Sequence, residues 1–346
     1  MEMLLSCTCS RPQLSEWLNQ IALSHHVSTP VKTGEKSFRF QPVTESALFH
    51  FEEYVPTVMP PVRTLFPMDA DVFSYKKTTS RYSHFENIDE SPQIIFGVRP
   101  CDLRAIHITD KVLLHGAQDP GYSAKRNATV IVAYRCSKPC SPLCFCGFTG
   151  AINETRGADV LLTPDGDTIH IEVYTPAGKE LYEVSDFSKN EHDKKKSLKP
   201  AKNIPDTFGR TPAMSLHKTV VAVNSKKNSR LLTVAAERCV SCGICNYVCP
   251  TCTCFCLHDS PESSETAGSR TRSLAACMTE RFGTTPGEAP ERKTAAERTI
   301  FRYTQKWSFQ TDNPDVLRCT GCGRCVQQCP AGIDIYSAVT RAGENI

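Results

Sequence analysis

No apolar run in this 346-residue chain approaches the roughly 18 residues that a membrane-spanning helix needs, which excludes a channel or a helical anchor. No leader is expected from the opening residues. Leu4-Leu5-Ser6-Cys7 has the outline of a lipoprotein cleavage box, but it lacks a basic n-region and an adequate apolar stretch, so the chain is expected to stay in the cytoplasm. Charge of one sign is scarce: 40 Lys and Arg face 37 Asp and Glu, and the net charge is only +3. The densest basic run, Lys194-Lys195-Lys196, has no interleaved aromatics and reads as a solvated loop, so nothing points to nucleic acid. Neither a Gly-x-Gly-x-x-Gly turn nor a phosphate-binding loop occurs, which removes the usual signs of a dinucleotide or nucleotide site.

Cysteine is what the chain has in excess. There are 19, an odd number gathered into clusters, in a chain long enough to bury a core without staples. That pattern argues against a disulfide framework and for a reducing compartment. Eight of them form two copies of one run, Cys239-x-x-Cys242-x-x-Cys245-x-x-x-Cys249-Pro250 and Cys319-x-x-Cys322-x-x-Cys325-x-x-x-Cys329-Pro330. A cubane presents iron at alternate corners, so three thiolates at this spacing let one tight loop cap three irons. The fourth thiolate must come from elsewhere. In the two-cluster bacterial ferredoxin arrangement the last cysteine of each run crosses to the other cluster. One [4Fe-4S] cluster is then expected on Cys239, Cys242, Cys245 and Cys329, and its neighbour on Cys319, Cys322, Cys325 and Cys249. Pro250 and Pro330 turn the chain away, and Gly243, Gly321 and Gly323 let backbone pass close to inorganic sulfide. Zinc is the competing reading, but zinc ribbons use cysteine pairs, and a run of three followed by Cys-Pro fits iron–sulfur better.

The remaining sequence predicts an α+β protein: a mixed α/β domain over 1–225, then a ferredoxin-like two-cluster domain over 226–346 with a long insert at about 257–312. Leu14, Trp17, Leu18, Ile21 and Ala22 recur at helical spacing after a possible N-cap at Ser10. Residues 48–54 form a further segment. The four prolines between Tyr54 and Pro67 predict an extended path lying over a core rather than inside it. Ile94–Val98 and Thr129–Ala133 read as buried strands with a helix from Asp102 to Leu114 between them. Val160–Leu162, Ile169–Tyr174 and Leu181–Val184, separated by Pro-Asp-Gly and Pro-Ala-Gly turns, predict an antiparallel meander. Polar sequence from Asp186 to about Met214 precedes a helix-like Leu231–Glu237. The insert holds polar stretches at Ser260–Thr271 and Gly283–Pro290, then becomes helical over Glu291–Trp307.

A second group of cysteines, Cys101, Cys136, Cys144 and Cys146, sits at or just beyond the ends of two predicted strands. Adjacent strand ends converge on one sheet edge, so these four are candidates for a third metal centre, against the plainer reading of buried inert thiols. Cys140 lies within this group without an assigned role. Cys252, Cys254, Cys256 and Cys277 are expected to pack near the first cluster loop, and Cys7 and Cys9 are incidental.

In order along the chain occur Tyr54-Val-Pro-Thr-Val-x-Pro-Pro, Leu65-Phe-Pro67, Phe96-Gly-Val-Arg-Pro-Cys-Asp-Leu-Arg-Ala-Ile106, Cys144-Phe-Cys146 and Cys249-Pro-Thr-Cys-x-Cys-Phe255. In these the chain resembles the iron–sulfur electron-transfer family that serves anaerobic sulfite reductase and includes the sulfhydrogenase beta subunits. The resemblance implies an electron-transfer subunit that works between two partners, a flavin-containing, NAD(P)H-binding subunit on one hand, on the other a terminal catalytic subunit with a sirohaem or nickel–iron centre. It departs from the family at Thr284–Glu288, at Tyr303–Trp307 and in the extra Cys256, which puts the docking partner in question. The alternative is an independent iron–sulfur oxidoreductase with its active site at Cys101, Cys136, Cys144 and Cys146. No acid–base constellation accompanies those thiols, which favours the relay.

Overall fold

The computed structural model describes residues 2–35, 37–43, 54–78, 81–86, 88–185, 208–225, 229–234, 236–262, 266–284, 289–310 and 313–344. Residues 48–53, and most of the polar segment after Asp186, lie outside them. Strand β1 (Leu5–Ser10) ends on the residue that starts helix α1 (Arg11–Ser24). The Ser10 hydroxyl accepts from the Gln13 N–H while the Gln13 side chain accepts from the Ser10 N–H, a reciprocal cap, and Leu14, Trp17, Leu18 and Ile21 form the buried stripe.

That stripe packs on a seven-stranded sheet of order β1-β9-β8-β7-β6-β2-β3. Four neighbouring strands are parallel: β8 (Val160–Asp165), β7 (Thr129–Tyr134), β6 (Gln93–Val98) and β2 (Val27–Gly34). They are flanked by antiparallel β9 (Thr168–Val173) with β1 on one side and by β3 (Ser37–Pro42) on the other. Central parallel strands are covered on both faces, which is why they read as continuous apolar runs. Ile94, Phe96, Val132 and Val160 meet α1 on one face. Ile95, Val98, Ile131 and Leu161 meet Leu103 and Ile106 of α2 (Pro100–Leu113) and Tyr122 of α3 (Pro120–Asn127) on the other.

Two expectations are corrected. The meander's third strand is a helix, α4 (Pro176–Glu183). Thr175 caps it by accepting from the Gly178 N–H at 3.1 Å, and Pro176 opens the first turn, so the apparent Pro-Ala-Gly turn is a helix start. Strand β1, from the other end of the domain, pairs with β9 in its place. The Tyr54–Pro67 stretch also does more than cover a core. A single 3₁₀ turn over Pro61–Thr64 swings Val62, Leu65 and Phe66 into the apolar cluster with Leu103 and Ile106.

A second sheet, β10-β11-β4-β5, joins β4 (Asp69–Lys77) and β5 (Tyr82–Glu86) to β10 (Phe255–Pro261) and β11 (Ala267–Leu274) of the insert. The polar stretch at Ser260–Thr271 is thus largely a hairpin. Its pairing partner β4 lies some 190 residues earlier, so the insert's own composition carried no strand signal. Helices α5 (Leu216–Asn224), α6 (Ser229–Val234), α8 (Ala295–Lys306) and α10 (Ile335–Glu344) build the C-terminal core, with Val220, Leu232, Tyr303, Trp307 and Val339 packed against Phe145 and Phe148. Beside them lie the short pair β12 (Phe309–Gln310) and β13 (Asn313–Leu317). Among the described residues no helix is long and apolar enough to cross a membrane.

Candidate metal centres

The two cysteine runs fold as copies of each other. Gly243 (φ 74°) and Gly323 (φ 79°) each take the left-handed conformation, and each is followed by a single helical turn, α7 (Ile244–Tyr247) and α9 (Arg324–Gln327), carrying Cys245 and Cys325. Left-handed backbone at these points turns the loop back on itself and aims its N–H groups inward. The Ser241 N–H lies 3.4 Å from the Cys239 sulfur and the Ile333 N–H 3.3 Å from the Cys329 sulfur.

Two cavities lie between the loops. Cys239, Cys242, Cys245 and Cys329 line one, with Cys325 at its inner wall. Cys249, Cys319, Cys322 and Cys325 line the other. Each run therefore sends its last cysteine across to the cavity of the other run. Among the described residues no three thiols, imidazoles or carboxylates converge on one point as a single metal ion would require; the thiols ring cavities instead.

Cations are buried beside these rings. The Arg302 guanidinium lines both cavities, donating to the Cys245 carbonyl at 2.7 Å and approaching the Cys252 sulfur at 3.6 Å. Lys306 donates to the Thr251 carbonyl at 3.1 Å and hydroxyl at 2.7 Å at the wall of the second cavity. Arg63 donates to the carbonyls of Cys249 and Cys252 at 2.9 and 3.0 Å. Burial pushes Cys245, Cys319, Cys322 and Cys325 up, Cys319 to about 12. Cys249 is the exception: a hydrogen bond from Cys252, helped by the charges of Lys306 and Arg302, outweighs burial and holds it well below the usual thiol range. Neutral buried thiols give up their protons when a cation binds, and the pre-set positive charge favours an anionic occupant.

The second cysteine group is assembled too. Cys101 in the first turn of α2, Cys136 beyond β7, and Cys144 and Cys146 in the following loop form one buried cluster, with Cys322 of the second cavity in contact and Cys140 at its edge. Cys140 is the member whose part the sequence left open. Hydrogen bonds run from Cys136 through Cys140 to Cys144 and Cys146, and the bond to Cys140 together with burial pushes Cys136 well up. Arg99 sits against this group, 3.7 Å from the Cys136 sulfur, held by the Tyr54 carbonyl at 2.8 Å and stacked over the Tyr54 ring at 4.3 Å. The Cys144–Cys146 loop lies directly on the second ferredoxin-type loop: the Phe145 N–H donates to the Gly321 carbonyl at 2.7 Å. Asp102, next to Cys101, is fully buried and grips Arg324, next to Cys325, through two bonds of 2.6 and 2.8 Å.

Of the other cysteines, Cys252 and Cys277 lie under the first loop around the buried Asn246 amide, which donates to Cys277 at 3.0 Å and to Cys252 at 3.7 Å. Cys254 and Cys256 flank the start of β10, while Cys7 and Cys9 are core residues of β1. The sequence reading passed over Arg302, Lys306 and the Asp102–Arg324 pair. A signal for the first two was present: Arg298, Arg302 and Lys306 recur every four residues on the face of an amphipathic helix that its other residues mark as buried.

Residues 238–333 match the family model described as 4Fe-4S dicluster domain, so the two-loop region is such a domain and the chain is an iron–sulfur protein. Over 322 residues, 89% of this chain and 92% of the relative, it is 28% identical to Sulfhydrogenase 2 subunit beta of Pyrococcus furiosus. Beyond that domain, the similarity to the beta subunit runs over most of both chains. No solved structure matches it.

Proposed function

We propose that this chain relays electrons through two [4Fe-4S] clusters, one held by Cys239, Cys242, Cys245 and Cys329 and the other by Cys319, Cys322, Cys325 and Cys249. A third cluster is held by four of the five thiols Cys101, Cys136, Cys140, Cys144 and Cys146. The observation that carries the reading is the crossing of Cys249 and Cys329 into each other's cavities. Bound clusters of this kind exchange single electrons. The protein's own part is to hold the thiols, exclude water and set the charge around them.

Exposure falls along the series. Three thiols of each ferredoxin-type ring are half-buried, but the fourth is exposed in the first ring, Cys242, and buried in the second, Cys322, while Cys101, Cys136, Cys144 and Cys146 are buried beside a half-buried Cys140. That gradient supports an entry or exit port at Cys242 and an inner end at the strand edge. A flavin-containing, NAD(P)H-binding subunit on one side and a terminal subunit with a sirohaem or nickel–iron centre on the other are the proposed partners. The relative's name, which is that of one chain of a sulfhydrogenase, supports a multi-subunit setting. The domain boundary is placed near residue 225 and the compartment in the cytoplasm, where thiols and oxygen-sensitive clusters persist.

Iron and acid-labile sulfide are to be measured per chain after anaerobic purification, with zinc assayed alongside. About twelve irons with matching sulfide is the expected result. About eight would remove the third cluster and leave the pair. Zinc with little iron would overturn the whole assignment.

A further inference from the structure

We infer that Arg302 and Lys306 of α8 set the reduction potentials of the paired clusters, Arg302 acting on both and Lys306 on the one bound by Cys249, Cys319, Cys322 and Cys325. This rests on the cluster reading above. Both side chains are buried, at 3% and 8% exposure. Removing a cation from water costs several kcal/mol unless an anion compensates it. The partners of the two are carbonyls, one hydroxyl and thiol sulfur. None is an anion unless the sulfurs are. Arg298, one turn earlier on the same face, differs. It has a carboxylate, Glu280, at 3.6 Å and reaches the Ser241 hydroxyl at 3.0 Å.

The missing counter-charge is the occupant of the rings. An oxidised [4Fe-4S] core with four thiolates carries about −2 by charge counting, and reduction adds one more negative charge. A fixed cation in a dry, weakly screening site therefore stabilises the reduced form more than the oxidised form and raises the potential. Position decides which cluster feels it. Lys306 lines only the second cavity, whereas Arg302 lines both. The insert thus acts on the relay, since α8 belongs to the segment between the two cysteine runs.

Potentiometric titration followed by electron paramagnetic resonance, with iron and sulfide assayed in each sample, tests this on the full chain. In Lys306→Met one of the two ferredoxin-type signals is expected to lose at least tenfold in its reduced-to-oxidised ratio at fixed potential, about 59 mV for one electron. Lys306→Arg keeps the charge and is expected to stay near wild type. Arg302→Met is expected to lower both signals. If Lys306→Met loses iron, Lys306→Gln, which can still donate to Thr251, carries the same expectation. Full iron content with unmoved potentials, or equal shifts in Lys306→Met and Lys306→Arg, would overturn the inference alone. A wild-type chain without iron and sulfide would overturn the cluster reading beneath it.

Discussion

Glu154 shows how much positioning one carboxylate does near the inner cysteines. It accepts from the backbone N–H groups of Thr155 and Arg156 at 3.1 and 3.0 Å, from the Arg156 guanidinium at 2.8 Å twice, and from Arg104 of α2. Arg104 also donates to the Gly150 carbonyl at 3.0 Å, so the pair ties the loop after Cys146 to the helix that carries Cys101. Burial works against the charge, but the Arg156 hydrogen bond and the Arg104 charge win and lower Glu154 from 4.5 to about 2. Because the folded-state value is the lower one, the stabilisation is complete above the unfolded value and is lost as pH falls through the folded one. Its size is about 3 kcal/mol, from 1.36 kcal/mol per unit of pKa. Glu154→Gln should therefore unfold at lower urea than wild type by a margin that is constant near neutrality and begins to close as pH drops below about 4.5. A margin that does not change with pH would refute an ionic role.

At the scale of elements, the decisive contact is backbone on backbone. Gly321 sits at φ 67°, and a Cβ placed there would lie 2.6 Å from the carbonyl carbon and oxygen of Phe145. A side chain must therefore push the Cys144–Cys146 loop away from the second cluster loop, in addition to the left-handed strain of roughly 1–2 kcal/mol. Gly332 offers the comparison. It is also left-handed, at φ 61°, but a Cβ there meets only the flexible end of Arg238 at 3.6 Å. Gly321→Ala is expected to lose iron during gel filtration, while Gly332→Ala keeps its iron and loses only stability. Equal iron retention in the two variants would mean that the loops need not touch.

Across the whole molecule, the ferredoxin-like region is built into the α/β part. Strand β11 of the insert pairs with β4, Asp102 of α2 grips Arg324 of α9, and Phe145 packs among Trp307 and Tyr336. All these contacts would be lost at once if the parts separated, which couples the unfolding of one to the other. Thermal unfolding of the iron-loaded chain is accordingly expected as one cooperative transition, with tertiary and cluster signals lost together. Two resolved calorimetric transitions would show that the parts on either side of residue 225 are stable apart.

The paired cysteine runs, the buried strands β6 and β7, and helices α1, α2 and α8 were legible in the sequence because each depends on local spacing: ligands two and three residues apart, apolar runs, helical periodicity and a cap at Ser10. The proposed exchange of Cys249 and Cys329 between the two sites comes from the repeated motif, and the cavities these residues line support it. What local spacing cannot carry is the identity of a partner far away in the chain. Hairpin β10–β11 is a sheet only because β4 lies beside it, α4 replaced a third strand because β1 already occupied that edge, and Cys140 joined the inner group through the turn of its loop. The cations of α8 follow the same rule. A lysine in a helix is a solvated charge by default, and only the packing of that helix against two thiol rings makes Lys306 a buried one.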